Sequence, residues 1–307
     1  MIFDPRAVAA HRARAESLAG EAGFLFREVA ARLAERVGEV NRTFGRTLDL
    51  GCRGGLVAKA LDEAGAVRNR GIVTLIEMAG TRDAQLEGPT FVAGTEEALP
   101  FADASLDLVA SNLTLHWVND LPGTMVQVRR ALKPDGLFLA AMLGGETLTE
   151  LRQALDQAEQ ECEGGISPRV SPFVDVRDAG SLLQRAGFAL PVADADTIIV
   201  TYADMFTLMQ DLRAMGESNA VAERRKTFLR RETLYRAAEI YGRDFAEDGG
   251  CIRATFQVIW LTGWVPHESQ QKPLRPGSAT ARLADALGTE EHSIGEKAPG
   301  PRKGKPN

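Results

Sequence analysis

Along the chain, segments with apolar residues at helical spacing alternate with short apolar runs. This pattern predicts helices that alternate with strands. Residues 8–40 place apolar side chains at helical spacing with charges between them, and so predict a helical lead-in. Residues 47–50 predict a first strand, and residues 56–64 resume helical spacing after a glycine-rich turn. Short apolar runs predict further strands at residues 71–76, 90–93, 106–111 and 137–142. Strands that alternate with helices indicate a mostly parallel sheet.

The second half of the chain adds helices and strands beyond this alternation. Helices are predicted at residues 126–132, 147–161, 176–186, 203–215 and 224–241, and strands at residues 198–201 and 254–264. Gly187 is expected to end the third of these helices, and residues 133–136 predict a turn through their proline and glycine. The predicted fold class is therefore α/β, a Rossmann-like, mostly parallel twisted sheet flanked by helices, with a C-terminal helical and strand elaboration.

Four parts of the chain are expected from these patterns. They are a helical lead-in at 1–45, a Rossmann-like core at 46–145, the C-terminal part of the same fold at 146–288, and a tail at 289–307. The tail is rich in Glu, Lys, Pro and Gly and lacks apolar anchors, which predicts disorder.

Composition and charge narrow the class of protein. The 307 residues are 44% hydrophobic and 25% charged, as in a globular protein. A formal charge of -6 argues against a nucleic-acid partner, because phosphate binding requires a dense basic surface. No apolar run is long enough to predict an integral membrane segment, although peripheral association stays open. Cys52, Cys162 and Cys251 lie far apart without CxxC spacing, so we expect neither a metal site nor a disulfide framework, and a reducing compartment fits best.

A glycine-rich loop follows the first predicted strand and opens the next helix. Residues 48–55 read Leu-Asp-Leu-Gly-Cys-Arg-Gly-Gly. Glycines let the backbone turn tightly and approach a ligand without an intervening Cβ. Glu77, near the end of the second predicted strand, has the spacing of the acidic residue that accepts hydrogen bonds from both ribose hydroxyls of a nucleoside cofactor. A dinucleotide with its pyrophosphate at a helix N-terminus would use a related loop.

Asp49 favours a nucleoside cofactor without a pyrophosphate over a dinucleotide. A carboxylate at this position would repel a pyrophosphate, but it suits a cationic ligand with an amino group. The Asp-Leu-Gly-Cys pattern that begins at Asp49 resembles motif I of the class I S-adenosylmethionine (SAM)-dependent methyltransferases, whose ligand carries a sulfonium and an amino acid tail. The family usually has GxGxG in this loop, whereas this chain has Arg53 at the middle glycine and Gly54 beside it. An ordinary strand-to-helix glycine turn is the alternative.

The resemblance extends to other cofactor positions and implies SAM as the cofactor. Residues 94–101 resemble the loop that brackets the adenine; Thr95 falls at the family's acidic position, with Glu96 as the substitute. Residues 106–112 resemble the fourth strand, whose end faces the methyl donor. A solvated surface charge is the alternative for Glu96. The cofactor-binding residues implied by the resemblance are Asp49, Gly51, Cys52, Gly54, Gly55, Glu77, Thr95, Glu96, Ser111, Asn112 and Leu113.

A longer resemblance covers roughly residues 2–281. Residues 112–122 read Asn-Leu-Thr-Leu-His-Trp-Val-Asn-Asp-Leu-Pro. This segment resembles the malonyl-carrier-protein methyltransferases of biotin synthesis and, more closely, the methyltransferase-fold assembly factors of respiratory complex I. The closer match continues in short strings within residues 141–152, 164–173, 205–219, 263–270 and 277–280, which are more specific than the glycine loop.

The resemblance implies a SAM-dependent methyltransferase-fold enzyme that modifies a protein side chain, with a respiratory complex I subunit as its partner. The modification is methylation, or arginine hydroxylation as in the eukaryotic relatives. Two alternatives stay open: an O-methyltransferase of a small carboxylate or of malonyl-carrier-protein, and a non-catalytic assembly chaperone that retains affinity for SAM. SAM binding by itself does not choose among them. Because the family match begins at Ile2, which leaves no room for an upstream presequence, a cytoplasmic location is expected.

Three polar residues are the candidates for catalysis. His116 follows the fourth predicted strand at its ligand-binding end, which suits proton transfer or substrate contact; a structural histidine is the alternative. Glu217 and Asn219 follow an apolar helix at i and i+2 and suit a guanidinium or an amide, and a helix-end cap is the alternative for Asn219. The four histidines lack the two-histidine, one-carboxylate spacing of a redox iron site, so no metal is expected.

Overall fold

The computed structural model describes residues 1–17, 23–65, 72–77 and 90–271, with the backbone alone described at 72–77 and at 90–91. The helices in these ranges are α1 (Pro5–Ser17), α2 (Phe24–Gly38), α3 (Leu56–Glu63), α4 (Leu121–Ala131), α5 (Thr149–Glu163), α6 (Val176–Ala186), α7 (Met205–Ala214) and α8 (Arg231–Asp244). The strands are β1 (Arg46–Leu50), β2 (Ile72–Glu77), β3 (Thr90–Ala93), β4 (Leu106–Asn112), β5 (Leu132–Leu143), β6 (Ala189–Tyr202) and β7 (Ile252–Trp264). A short 3-10 turn, Leu115–Trp117, follows β4.

Within the described residues, seven strands form one sheet in the order β3-β2-β1-β4-β5-β7-β6. Strands β1 to β5 run parallel to one another, whereas β7 is antiparallel to both β5 and β6. The strand order reverses at β1, because β2 lies on one side of it and β4 on the other. In open α/β sheets, ligands bind outside the carboxyl ends of the strands at this switch point. The glycine-rich loop after β1 and the segment after β4 both lie at that position.

An apolar layer covers each face of the sheet. Helices α2, α3, α5 and α8 pack on one face, and α4 and α6 on the other. In β5, Leu137 and Leu139 join the first layer while Phe138 and Ala140 join the second, so the strand is buried on both sides. Each fully buried leucine or phenylalanine contributes about 1.5–3 kcal/mol. A strand buried on both faces reads as a continuous apolar run, which explains why the sequence identified it.

The predicted fold class is confirmed, and the first four strands begin and end within one residue of their predicted bounds. Helix α6 also matches its prediction, and Gly187 ends it with a left-handed φ of 83°. Short apolar runs between glycines and helices locate these elements well, because burial alone decides their conformation.

Several predicted elements differ from the structure. Helix α4 is predicted at residues 126–132 but begins at Leu121, because the Asp120 side chain caps it by accepting from Gly123 N. The helical lead-in is two helices, α1 and α2. The predicted turn at residues 133–136 lies inside β5, where Asp135 has a φ of 63° and the register with β4 shifts. Helix α8 begins at Arg231, because Arg230 is extended at its N-cap; residues 224–230, which were predicted to be helical, are not. Charged residues occupy both conformations equally well, so their spacing did not locate the start of α8.

Strand β6 is much longer than the predicted strand at residues 198–201. Twelve of its residues pair with β7, from Ala189 to Tyr202, with a register irregularity near the start. As an edge strand it keeps much of its length exposed, including Val192 and Ile199. Its alternating alanines and aspartates give no apolar signal, so the pairing with β7 determines its conformation.

Contacts within the chain define two units, Met1–His267 and Glu268–Asn307, and the fold above is that of the first. The domain boundaries at residues 45, 145 and 288 stay predictions, and the predicted tail at 289–307 lies outside the described residues. Among the residues that the structure describes, no helix combines the length and apolarity needed to cross a membrane.

Candidate functional site

The loop between β1 and α3 turns through glycines in the left-handed region of φ, at 76° for Gly51, 62° for Gly54 and 73° for Gly55. A Cβ added to Gly51 would lie 2.2 Å from Cγ2 of Thr114, so a glycine is required. A Cβ added to Gly54 would meet no heavy atom of the described residues within 4 Å. Cys52 Sγ accepts a hydrogen bond from Gly55 N at 2.9 Å and holds the turn closed. The backbone at Gly54 therefore faces open space without a side chain.

The carboxyl ends of β1 and β4 place polar groups beside this loop. Asp49 is only 1% exposed and lies between β2 and β4 in the sheet. Ser111 Oγ donates to Leu50 O at 2.9 Å, so its hydroxyl links the two strands. Asn112 Nδ2 donates to Phe26 O at 2.9 Å, whereas its buried Oδ1 has no hydrogen-bond partner among the described residues. This oxygen is an acceptor that a ligand can use.

Leu113 is the residue at which the chain leaves the sheet. Its φ is 47°, an uncommon value for a residue with a side chain, and its N–H donates to Ala141 O at 2.8 Å. The strained turn directs the following residues back over the glycine loop, where Thr114 Oγ1 donates to Gly51 O at 3.0 Å. Glu77 ends β2 as predicted, and its side chain lies outside the described residues.

The predicted adenine loop contacts the N-terminal helix. Thr95 Oγ1 accepts from Glu97 N at 3.3 Å. The Glu96 carboxylate is 9% exposed and forms an ion pair at 2.9 Å with Nη1 of Arg12, on α1. Glu96 is therefore a buried, paired charge, and the alternative of a solvated surface charge does not hold. An open cleft lies between α1 and this loop, and its lining includes Arg12, Glu96 and Trp117.

A buried carboxylate, Glu217, lies at the centre of a polar cluster beside the cofactor loop. Its side chain is 4% exposed. Oε2 accepts hydrogen bonds from Nε1 of Trp117 and from Nε2 of His116, each at 3.0 Å. Oε1 lies 2.6 Å from Nη2 of Arg53. The structure thus brings together two predicted candidates, His116 and Glu217, that are 101 residues apart in sequence.

Arg53 takes the place of the family's middle glycine and extends across the loop. Its Nη1 donates to Met215 O at 2.8 Å, and its guanidinium carbon lies 4.3 Å from the centre of the Phe26 ring. An arginine stacked on an aromatic ring and paired with a carboxylate is strongly fixed. Arg53 is therefore accommodated in place of the GxGxG glycine because the Glu217 carboxylate neutralises its buried positive charge.

The protonation states in this cluster follow from burial and charge. Burial opposes ionisation of Glu217, but the charge of Arg53 and the hydrogen bond from His116 hold the pKa of Glu217 below its ordinary value. Burial lowers the pKa of His116, and Glu217 counteracts this only in part. Leu143 N donates to Nδ1 of His116 at 3.4 Å, which requires a lone pair on that nitrogen. His116 is accordingly neutral, with its proton on Nε2 and directed at Glu217.

The third candidate, Asn219, has its amide committed to the backbone. Nδ2 donates to Pro168 O at 2.7 Å, and Oδ1 accepts from Val221 N at 3.0 Å. This joins the segment after α7 to the loop at residues 164–173. The same loop brings the Phe173 ring to 5.8 Å from the His116 ring. Asn219 thus supports the wall of the site, and a direct role in catalysis stays a prediction.

A second buried carboxylate fixes that loop. Glu159, on α5, is 1% exposed and accepts from Ser167 N at 2.7 Å and from Arg169 Nε at 2.6 Å. Sequence reasoning missed this residue, and it also missed Arg12 and Phe26 as partners of the charged groups. The one sequence signal for this cluster was Arg53 itself. An arginine in a glycine loop requires a carboxylate nearby if the fold buries it.

The described residues contain no group of three or more His, Cys, Asp or Glu side chains placed to hold a metal ion. Cys52, Cys162 and Cys251 form no disulfide. Two observations fit SAM binding at this loop. The backbone at Gly54 has no Cβ and faces open space among the described residues, and the buried Oδ1 of Asn112, at the end of β4, is a free acceptor there.

Comparison with known proteins places this geometry in a family. Residues 48–140 match the family model described as Methyltransferase domain. The human protein named "Arginine-hydroxylase NDUFAF5, mitochondrial" is 45% identical over 263 residues, which cover 85% of this chain and 76% of that protein. The protein of the same name from Danio rerio is 44% identical over 264 residues, covering 85% of this chain and 81% of that one. The malonyl-[acyl-carrier protein] O-methyltransferase of Laribacter hongkongensis is 33% identical over 282 residues, covering 86% and 90%.

Among solved structures, the YcgJ protein from Bacillus subtilis aligns with a TM-score of 0.52 and 16% identity, over 76% of this chain and 98% of that chain. This likeness shows the fold alone. Together with the sheet order, the glycine loop and the domain match, it defines a class I SAM-dependent methyltransferase, with S-adenosyl-L-methionine as its cofactor. The chain belongs to the family that contains the NDUFAF5 arginine-hydroxylases and, at lower identity, the malonyl-[acyl-carrier protein] O-methyltransferases. The resemblance found in the sequence is thereby confirmed.

Proposed function

We propose that this protein binds SAM at the loop after β1 and modifies an arginine side chain of a protein partner, a subunit of respiratory complex I. The observation that carries the proposal is the buried Glu217 carboxylate beside the cofactor loop. In the structure this carboxylate binds the guanidinium of the chain's own Arg53. The names of the relatives at 44–45% identity support arginine as the target. The sequence resemblance to complex I assembly factors supports the choice of partner.

Separate groups of residues serve the cofactor and the substrate in this proposal. The cofactor residues are those that the sequence predicted: Asp49, Gly51, Cys52, Gly54, Gly55, Glu77, Thr95, Glu96, Ser111, Asn112 and Leu113. SAM supplies an electrophilic methyl group when bound. Glu217 holds the positive charge of the substrate arginine, and the neutral His116 fixes the orientation of that carboxylate through its Nε2–H. The buried aromatic side chains around them exclude water.

The cofactor site is tested by titration calorimetry with SAM, S-adenosylhomocysteine and NAD on the wild type and on Gly54→Ala. The matched control is Gly65→Ala, because Gly65 has the same φ of 62° and the same open surroundings among the described residues, but lies at the end of α3. Both substitutions cost similar stability, about 1 kcal/mol. We expect only Gly54→Ala to weaken SAM binding, by at least about tenfold. Equal SAM affinity in the two variants, or a preference for NAD, would contradict the site.

The reaction is tested on complex I subunits purified from cells with and without this protein. Mass spectrometry of their peptides is expected to find one arginine that loses a modification in the deletion strain. A mass difference of one methylene group identifies methylation, and one oxygen atom identifies hydroxylation. Wild-type protein restores the modification, whereas Glu217→Gln, present at equal abundance and still binding SAM, does not. Identical arginine masses in the two strains would exclude the proposal.

A second candidate function is methylation of malonyl-carrier-protein, which the relatives at 33% identity favour. Its substrate carboxylate requires a cation, and the two arginines nearest the cluster, Arg12 and Arg53, are both paired with carboxylates. Purified protein, SAM and malonyl-carrier-protein form S-adenosylhomocysteine and a methyl ester if this candidate is correct. A non-catalytic chaperone forms neither product, and supports complex I assembly even when Gly54→Ala abolishes SAM binding.

The cytoplasm is the proposed location. Three cysteines that form no disulfide support a reducing compartment, whereas the relatives compared above are named as mitochondrial. Fractionation of cells into cytosol, membrane and organelles, followed by immunoblotting, distinguishes these locations and detects peripheral membrane association.

A further inference from the structure

The two oxygens of Glu217 have different partners, and the difference separates a fixed side of the carboxylate from an exchangeable one. Oε2 accepts from Trp117 and from the neutral His116, both on the 3-10 turn after β4. These donors carry no charge, so they orient the carboxylate without neutralising it. Oε1 faces the guanidinium of Arg53. The carboxylate thus stays in place whichever cation lies at Oε1.

The surroundings of Oε1 match a guanidinium group rather than an ammonium. A backbone carbonyl, Met215 O, accepts from Nη1 of Arg53 at 2.8 Å, and the face of the Phe26 ring lies 4.3 Å below the guanidinium carbon. A guanidinium can lie over an aromatic ring and donate to two acceptors at once, whereas an ammonium is a compact point charge. One donor of Arg53 is left unsatisfied there, because its buried Nε has no hydrogen-bond partner among the described residues.

A cation is required at Oε1 at all times. An isolated carboxylate as buried as Glu217 is strongly unfavourable, and removing one member of a buried ion pair leaves the other uncompensated. If a second guanidinium entered beside Arg53, two positive charges would face the single negative charge of Glu217, and one positive charge would be uncompensated. The substitution of one guanidinium for another keeps the charge balanced and avoids both of these electrostatic penalties.

We infer that the Oε1 side of Glu217, with Met215 O and the Phe26 ring, is the binding site for the substrate arginine, and that Arg53 occupies it as an internal substitute until the substrate displaces it. The inference rests on the proposed function and names the subsite and its regulation. Arg53 belongs to the cofactor loop beside Gly54, whose left-handed φ and open surroundings among the described residues leave room for rearrangement. Displacement of Arg53 thus couples substrate binding to the conformation of that loop.

The first experiment measures exchange in the wild-type protein. The side-chain Nε signal of Arg53 in a nitrogen-15 NMR spectrum is assigned by its loss in Arg53→Lys. Saturating N-acetyl-arginine amide is expected to move this signal to the value of a solvent-exposed arginine. The internal control is Arg169, which is paired with the buried Glu159 in a similar way and is expected not to shift. An Arg53 signal that stays unchanged, or that shifts together with Arg169, would overturn the inference.

The second experiment removes the internal competitor. Arg53→Ala is expected to bind N-acetyl-arginine amide at least about tenfold more tightly than the wild type, because the wild-type site is occupied most of the time. The neutral isostere N-acetyl-citrulline amide and the ammonium N-acetyl-lysine amide are expected to gain nothing. Adding Glu217→Gln to Arg53→Ala is expected to abolish the gain. Equal affinity in the wild type and Arg53→Ala, or a gain that survives Glu217→Gln, would contradict the inference, and the wild-type NMR measurement decides it if Arg53→Ala does not fold.

These outcomes are separate from a failure of the proposed function. Exchange of Arg53 without any modified arginine in complex I would keep the binding site and reject the reaction. A modified arginine in complex I without exchange of Arg53 would keep the reaction and reject the subsite.

Discussion

Arg53 and Glu217 are 164 residues apart in sequence, and their side chains meet at 2.6 Å in a buried ion pair. One residue belongs to the glycine loop after β1 and the other to the turn after α7. The pair therefore connects the cofactor loop to residues 205–219, one of the C-terminal segments in which the family resemblance is most specific.

The free energy of unfolding is expected to show strong coupling between these two residues. Arg53→Met and Glu217→Gln are each expected to cost about 3–5 kcal/mol, because each leaves a buried charge uncompensated. The double variant is expected to cost less than the sum by about 1–3 kcal/mol. Urea denaturation of the four proteins measures this coupling. Additive costs would show that the ion pair does not form in solution.

Stability is expected to fall on acidification through His116. Burial lowers the pKa of His116 below its ordinary 6.5, so the unfolded chain takes up the proton at a higher pH than the folded protein does. The stabilisation by the neutral imidazole is thus complete above about pH 6.5 and is lost as the pH falls below that value. The low pKa of Glu217 adds a second loss nearer pH 4.5, where the unfolded carboxyl begins to bind protons.

His116→Gln isolates the histidine contribution. We expect the free energy of unfolding of this variant to fall less than that of the wild type between about pH 7.5 and pH 5.5. His11, whose pKa is also lowered by burial, remains in both proteins and keeps part of the slope. An unchanged pH dependence in His116→Gln would mean that His116 is not buried in its neutral form.

Gly51→Ala is expected to be far more destabilising than Gly65→Ala. Both glycines have left-handed φ values, at 76° and 62°, but only at Gly51 would the added Cβ collide with Thr114. Gly65→Ala is expected to cost about 1 kcal/mol from the backbone alone, and Gly51→Ala more than about 3 kcal/mol. Thermal denaturation provides the comparison, and similar melting temperatures would show that the loop packs less closely against Thr114.

Glu159→Gln is expected to loosen the loop at residues 164–173. Glu159 is buried and holds Ser167 and Arg169, so the substitution is expected to cost about 3–5 kcal/mol. Glu161→Gln, two positions along the same helix, removes a half-exposed pair with Arg236 and is expected to cost less than about 1 kcal/mol. Urea denaturation and limited proteolysis of the loop measure both effects. Equal losses from the two substitutions would contradict the supporting role of Glu159.

The local elements were predictable wherever burial alone determines them. The strands β1 to β4 and the helix α6 follow from short apolar runs and from Gly187, because these signals lie within a few residues of the element. Strand β6 and the start of α8 were not predictable in the same way. The conformation of β6 depends on β7, which lies about 50 residues further along the chain, and no local pattern encodes that pairing.

The sequence by itself determined the α/β fold, the glycine loop, the family and the individual candidates His116, Glu217 and Asn219, since residue type and spacing carry that information. Only the tertiary structure decided how the candidates act together. It placed Glu217 between His116 and Arg53, committed the Asn219 amide to the backbone and buried Glu96 against Arg12. The physical reason is that an ion pair is a relation between distant segments: the sequence shows Arg53 in place of a loop glycine, but only the fold buries it and selects the carboxylate that pairs with it.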